Sequence, residues 1–273
     1  MERLISRSKS LIKYFKYKKI IFAPWRADDV NDSPYHAWYL PLRKYCSNII
    51  FFDPAKNYFK YGKRQMNDML LSLVKKEKPD YIIFSLLYDE FNLRIFDEIR
   101  KISPDTLLIN FFNDDDWRFN DFTLFYVTFF DYVITSVTSE DVKSFYKGIS
   151  NVLFYSAVNC ELFRPLSLNK KYDVTFVGRP NKSRVDYLIF LAENGVDIKI
   201  WGDGWASYPK LLRYYKGYLS AEDFPKVINE SRINLSFSQG GYGKPQRKGR
   251  YYEASACRSF SLVEEYDAYR KYF

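Results

Sequence analysis

Short apolar runs recur along the first half of the chain: Lys19–Pro24 (KIIFAP), Asn48–Phe52 (NIIFF), Asp80–Leu87 (DYIIFSLL), Thr106–Phe112 (TLLINFF) and Tyr132–Ser136 (YVITS). They are rich in β-branched and aromatic residues and do not alternate apolar with polar. Such runs predict strands covered on both faces, as in a parallel sheet. Between them, Pro34–Tyr45, Arg64–Glu77, Phe91–Lys101 and Ser139–Tyr146 carry helical periodicity. Ser139 followed by Glu140 and Asp141 gives the last of these a cap and an acidic first turn. Strands alternating with helices imply right-handed crossovers and an α/β layer architecture.

The pattern breaks over Asn159–Lys171, with Pro165 and a polar run at Asn169–Lys171, and a domain boundary is expected there, at 165/166. It resumes with Asp173–Val177 (DVTFV), Asp197–Trp201 (DIKIW), Tyr215–Leu219, Ile233–Phe237 (INLSF) and Phe260–Val263 (FSLV). Helices fit Lys182–Glu193, Ala221–Glu230 and Arg250–Cys257. Two domains, 1–165 and 166–273, follow from this division and suit a chain of 273 residues. Ligands of open α/β sheets bind at the carboxyl ends of strands, so the loops there are the first places to look.

Composition narrows the classes. The three cysteines, Cys46, Cys160 and Cys257, are scattered without metal-ligand spacing and read as reduced thiols of a cytoplasmic protein. No apolar run reaches membrane-spanning length, and the N-terminus lacks the apolar block of a signal peptide. Of the net charge of +9, the segment 1–19 supplies +6, from seven cations against Glu2. Leu4, Ile5, Leu11, Ile12 and Phe15 fall at helical spacing beside those cations. Three readings stand for this leader: peripheral contact with an anionic membrane, a solvated helix packed on its domain, or a frayed basic terminus. Nucleic acid is not expected as a partner, because no recognised motif accompanies the charge.

Four constellations carry candidate chemistry. Val177–Arg184 (VGRPNKSR) follows a strand and opens a helix. A glycine there lets backbone approach a ligand, and the helix start with Arg179, Lys182 and Arg184 favours an anion; a plain solvated basic loop is the other reading. Trp201-Gly202-Asp203-Gly204-Trp205 ends another strand, its rings forming either a ligand wall or a lid on the core. In Arg250–Cys257 (RYYEASAC), Glu253 has the chemistry to accept hydrogen bonds from a diol, or simply to favour the helix start. Asn113–Trp117 (NDDDW) follows a strand of the first domain and reads as an acceptor-side or solvated turn, with Asp115 and Asp116 as candidate acids. His36 is the single histidine, and no triad partner for it is identifiable. The glycine-rich Ser238–Lys244 lacks the ending of a P-loop, which excludes a Walker-type nucleotide hydrolase.

Taken in order, DVTFVGRPNKSR at 173–184, IKIWGDGW at 198–205, INLSF at 233–237 and RYYEASACRSFSLVEE at 250–265 resemble the CgeB-like group of GT-B glycosyltransferases. FFNDDDWRF at 111–119 and YVITS extend the likeness loosely into the first half. The resemblance implies two Rossmann-like domains whose parallel sheets face a central crevice. It implies a nucleoside-diphosphate-sugar co-substrate, a UDP- or GDP-sugar, with no cofactor and no metal in the chemistry. The acceptor would be a glycan, a lipid-linked sugar or a protein, as in polysaccharide biosynthesis.

By that analogy Gly178, Arg179, Lys182 and Arg184 lie by the donor diphosphate and Gly202 lines the same pocket. Glu253 holds the ribose hydroxyls beside Arg250, and backbone near Gly217 and Tyr218 meets the base. Asp115, Asp116 or His36 would face the acceptor. Retaining members carry a second glutamate upstream, where this chain has Pro245, so the stereochemical course stays open. Arg258 stands where the group has a glycine, and the chain ends at Phe273, soon after Glu264. A shortened C-terminal part is therefore expected. It leaves a second possibility, a non-catalytic binder of nucleotide-sugar or glycan.

Overall fold

The computed structural model describes residues 14–25, 35–113, 115, 117–136, 144–154, 158–239 and 248–270. The chain divides into two compact units, Met1–Tyr155 and Ser156–Phe273.

In the first unit, β1 (Lys19–Pro24), β2 (Asn48–Phe51), β3 (Tyr81–Ser85), β4 (Leu107–Phe112), β5 (Tyr132–Thr135) and β6 (Val152–Phe154) form one sheet in the order β2-β1-β3-β4-β5-β6. Every neighbouring pair is parallel. The helices are α1 (Leu40–Tyr45), entered through a π-turn at Tyr35–Tyr39, α2 (Pro54–Glu77) and α3 (Arg94–Ile102). Short helical turns fill Phe119–Phe129.

The two faces of the sheet explain the unbroken apolar runs. Ile21, Ile82, Phe84, Leu108 and Val133 pack with Met66, Leu70 and Val74 of α2 and with Ile95, Phe96 and Ile99 of α3. Their neighbours Ile20, Phe22 and Ile83 turn the other way, against Cys46, Trp38 and Leu42. Period-two side chains buried on both faces leave no polar alternation to read.

Helix α2 starts ten residues before the expected Arg64–Glu77 segment, at Pro54. Asp53 caps it by accepting from Lys56 N at 2.8 Å, and proline at the first position completes a strong start signal. The helix is interrupted at Gly62, and its first half lacks the apolar stripe that periodicity detects. The edge strand β6 was not expected; it is only three residues long. The helix expected over Ser139–Tyr146 lies mostly outside the described residues, as do the leader up to residue 13 and Asp116.

In the second unit, β7 (Tyr172–Val177), β8 (Ile198–Trp201), β9 (Ser231–Ser236) and β10 (Ser261–Val263) form a parallel sheet in the order β10-β9-β7-β8. Its helices are α4 (Lys182–Glu193), α5 (Phe224–Glu230), α6 (Gly249–Ala256) and α7 (Asp267–Arg270). The strand expected over Tyr215–Leu219 contracts to a single bridge between Ile200 and Tyr215. β8 ends at Trp201, one residue past the bridged Ile200, and Gly202 then leaves the extended conformation, so there is no strand for a longer ladder to pair with.

The segment from Val158 to Lys171, where the sequence placed the boundary, packs on this second unit. Phe163, Val158 and Leu162 join Ile228, Ala254 and Cys257 in one apolar cluster. Asn229 fixes the segment by donating to Arg164 O at 3.0 Å and accepting from Leu166 N at 2.9 Å.

Candidate functional site

In the second sheet β7 lies between β8 and β9, so successive connections leave it in opposite directions. The carboxyl ends of β7 and β9 therefore border a topological switch point, where neighbouring loops diverge and leave room for a ligand. Three sequence-distant segments meet at this edge.

The first is the loop after β7. Gly178 N donates to Trp201 O at 2.9 Å, and Gly178 O accepts from Trp205 Nε1 at 2.6 Å. Gly202 comes so close that a Cβ on it would lie 2.3 Å from Gly178 O. Its φ of +131° is also one that side-chain-bearing residues rarely adopt. Gly202 N in turn donates to Gly217 O at 3.0 Å, and Gly217 has a φ of +91°. The indole of Trp205 is fully buried in the core of the unit and Trp201 is buried beside Tyr172. The tryptophan pair therefore closes the core and fixes the Gly178 loop.

The loop delivers the chain into α4, whose N-cap is Asn181, its side chain accepting from Arg184 N at 2.9 Å. The cations of this loop separate into two kinds. Lys182 points to solvent and pairs with Asp186 at 2.6 Å, and Arg179 is exposed. Arg184 instead folds back, donating from Nη1 to Arg179 O at 2.8 Å, with its guanidinium 5.7 Å from the Phe176 ring centre. Its Nε is buried and has no hydrogen-bond partner among the described residues. Burial pulls the Arg184 pKa down, and the Glu264 carboxylate opposes that pull.

The second segment is α6. Arg250 Nη1 donates to Glu253 Oε2 at 2.9 Å, with each side chain 23% exposed. Arg250 also stacks over Phe224, 3.8 Å from the ring centre. Burial pushes the Glu253 carboxyl above its usual range against the pull of Arg250. Burial likewise lowers Arg250, to which Arg184 contributes like-charge repulsion.

The third segment is the end of β10. Glu264 Oε2 accepts from Ser238 N and Ser238 Oγ, both at 2.7 Å, and from Gln239 N at 3.0 Å. It thereby ties the turn after β9 to the end of β10. Arg184, Arg250, Glu253 and Glu264 form one electrostatically coupled group: two guanidiniums for an anion, and a carboxylate held by an arginine that suits a diol.

Tyr218 is exposed one residue past Gly217. The sequence reading carried Glu264 only as part of the motif at 250–265 and gave it no role; its partners lie some 26 residues away in sequence.

The first unit treats its candidates differently. Asp115 is fully buried, accepting from Thr135 Oγ1 at 2.7 Å and, at very short range, from Tyr146 OH. The Tyr146 pKa is driven upward by burial and by that carboxylate. Where the sequence set Asp115 facing an acceptor, the structure makes it an interior acceptor linking β5 to Tyr146. His36 is buried within the π-turn, edge-on to the Tyr35 ring at 5.3 Å.

One buried acid at the carboxyl edge of this sheet was passed over by the sequence reading. Glu90 is 1% exposed, and its Oε1 accepts from Leu87 N at 2.6 Å and Tyr88 N at 2.9 Å. Its Oε2 is buried without a partner among the described residues, and burial pushes the carboxyl up to about 7. Among the described residues no three of His, Cys, Asp and Glu gather as a metal-binding group.

Comparison with known proteins places a family match within the second unit. Residues 184–273, which include Arg184, Arg250, Glu253 and Glu264, match the family described as glycosyl transferase-like. An uncharacterized protein of Borreliella burgdorferi is 24% identical over 93% of this chain and 52% of its own, so the chain spans about half the length of that curated relative.

Among solved structures, the DNA-modifying enzyme β-glucosyltransferase, studied with and without uridine diphosphoglucose, superposes with a TM-score of 0.52. It is 15% identical, and the match covers 90% of this chain and 79% of that one. The lipopolysaccharide outer core galactosyltransferase WaaB, in its apo form, gives a TM-score of 0.51 at 14% identity, over 89% of this chain and 80% of that one. The α/β fold with parallel sheets is thus that of the GT-B glycosyltransferases. No helix among the described residues is long and apolar enough to cross a membrane.

Proposed function

We propose that the protein is a glycosyltransferase of the CgeB-like type. It moves a sugar from a nucleoside-diphosphate-sugar, a UDP- or GDP-sugar, to a glycan, lipid-linked or protein acceptor without a metal in the chemistry. The observation that carries this reading is the coupled group of Arg184, Arg250 and Glu253 at the switch point of the second sheet.

In this reading the backbone at Gly178, the start of α4, Arg179 and Arg184 receive the diphosphate. As the bond from the sugar to the diphosphate breaks, the leaving oxygen gains negative charge, and the guanidiniums and the helix start stabilise it there. Glu253 accepts from the ribose hydroxyls, its carboxylate oriented by Arg250. Gly217 and Tyr218 border the base. Lys182, engaged by Asp186 in solvent, contributes at longer range than Arg184.

Calorimetric titration with UDP, GDP, ADP and dTDP, and with their sugar conjugates, tests the donor site, each run with Mg²⁺ and with chelator. One diphosphate should bind selectively and equally well in chelator. Glu253→Gln, which keeps the side-chain shape, should weaken it about tenfold to a hundredfold, as expected for hydrogen bonds to a charged group. Folded protein that binds none of these nucleotides would refute the assignment. Binding without sugar release to water or to any acceptor would mark a binder rather than a transferase.

A further inference from the structure

The first half of α2 carries an unusual surface. Residues 54–67 hold four cations, Lys56, Lys60, Lys63 and Arg64, and no acid. Interleaved with them, Phe59 is 73% exposed and Tyr61 is 40% exposed. Across from Phe59, the loop after β3 presents Tyr88, 61% exposed. Both rings lean on the same buried residue, Trp25 at the end of β1, at 6.1 Å each. Tyr58 packs edge-on to Phe59 at 5.7 Å, and Lys60 lies 4.9 Å from the Tyr61 ring centre. Lys63 binds Asp89 at 2.8 Å, so that exposed acid beside Tyr88 is already neutralised. Lys56, Lys60 and Arg64 are exposed on the same helix.

An apolar ring left this far in water is unfavourable unless something covers it. Aromatic side chains flanked by cations match the interface of an anionic bilayer, where rings enter the headgroup level and ammonium and guanidinium groups meet phosphates. We propose that this face, the first half of α2 together with Tyr88, docks the protein on an anionic phospholipid surface.

Single-stranded nucleic acid fits the cations but not the rings. The Trp25–Tyr88, Trp25–Phe59 and Tyr58–Phe59 planes are inclined at 74°, 51° and 80°. None of these three pairs is a parallel stack of the kind that successive bases extend. This inference is independent of the donor-site reading and of the basic leader, whose residues 1–13 lie outside the described ones.

Co-sedimentation with phosphatidylcholine vesicles, with and without phosphatidylglycerol, tests it on the full chain. The wild type should bind only the anionic vesicles. Phe59→Ser with Tyr88→Ser should weaken partitioning about tenfold, as loss of interfacial apolar area implies. Lys60→Glu with Arg64→Glu should do the same. Phe59→Trp, conservative at an exposed site, should retain binding and show added indole fluorescence quenched by brominated lipid. Replacing the leader cations Lys9, Lys13 and Lys16 by glutamine should leave the effect of the patch variants intact. The proposal is overturned if anionic vesicles are not bound, if patch variants bind as the wild type does, or if the emission added by Phe59→Trp is unquenched. It also fails if poly(dT) binds through the patch while vesicles do not.

Discussion

Gly202 is the position where the second unit leaves least room for change, and it gives a prediction that separates two physical effects. A Cβ there would sit 2.3 Å from Gly178 O and 2.8 Å from Gly178 C, both backbone atoms of the site loop. Neither can move as a side chain would, so the loop must shift by about 1 Å to restore ordinary contact. That shift breaks the bond from Trp205 Nε1 to Gly178 O, leaving buried polar groups unpaired at a cost of about 1–3 kcal/mol. The φ of +131° adds strain of about 1–3 kcal/mol.

Gly202→Ala should therefore lose about 2–6 kcal/mol in all. Gly217→Ala isolates the backbone effect, because its φ is +91° but no atom lies within 4 Å of the added Cβ. It should lose only about 1–2 kcal/mol. Urea unfolding followed by far-ultraviolet dichroism and tryptophan emission measures both. If Gly202→Ala is no less stable than Gly217→Ala, the close packing of the Gly178 loop is not what holds this edge together.

Other outcomes follow from the buried acids of the first unit. Asp115→Asn, which weakens the acceptor shared by Thr135 and Tyr146, should cost about 2 kcal/mol of stability. It should leave nucleotide binding unchanged, and a variant that lost binding while keeping its melting temperature would restore Asp115 as a site residue. Glu90 has the opposite pH sign from an ion-paired carboxylate: its pKa is raised in the fold, so the folded state holds the proton more tightly. Stability should be full below about pH 4.5 and fall as pH rises to about 7, by on the order of 3 kcal/mol. Glu90→Gln should flatten that slope in melting curves taken across the window; an unchanged slope would refute the assignment.

Most of the strands were legible because both sheets are parallel. Runs such as KIIFAP and DVTFV are short and largely apolar, the composition expected of strands covered on both faces. What escaped lacks that pressure. β6 is an edge strand with Leu153 exposed, and the first half of α2 turns Phe59 and three cations outward instead of an apolar stripe inward. Its start was nonetheless written locally, in Asp53-Pro54, and capping chemistry would have found it where periodicity did not.

The site divides along the same physical line. Residues whose role depends on the turn they occupy, such as Gly178 and Gly202, announce themselves by type and position after a strand. Charged residues do not, because burial and partners decide what a charge does. Lys182 and Arg184 stand two apart in one motif, yet Lys182 is a solvated partner of Asp186 and Arg184 is drawn in beside Phe176. Asp115, in the most acidic stretch of the chain, is an interior acceptor. Glu264 organises Ser238 and Gln239 because parallel pairing of β10 with β9 brings their carboxyl ends together. That pairing register is a tertiary quantity, and the parallel sheet that makes the strands easy to read also puts this contact beyond the reach of any local pattern.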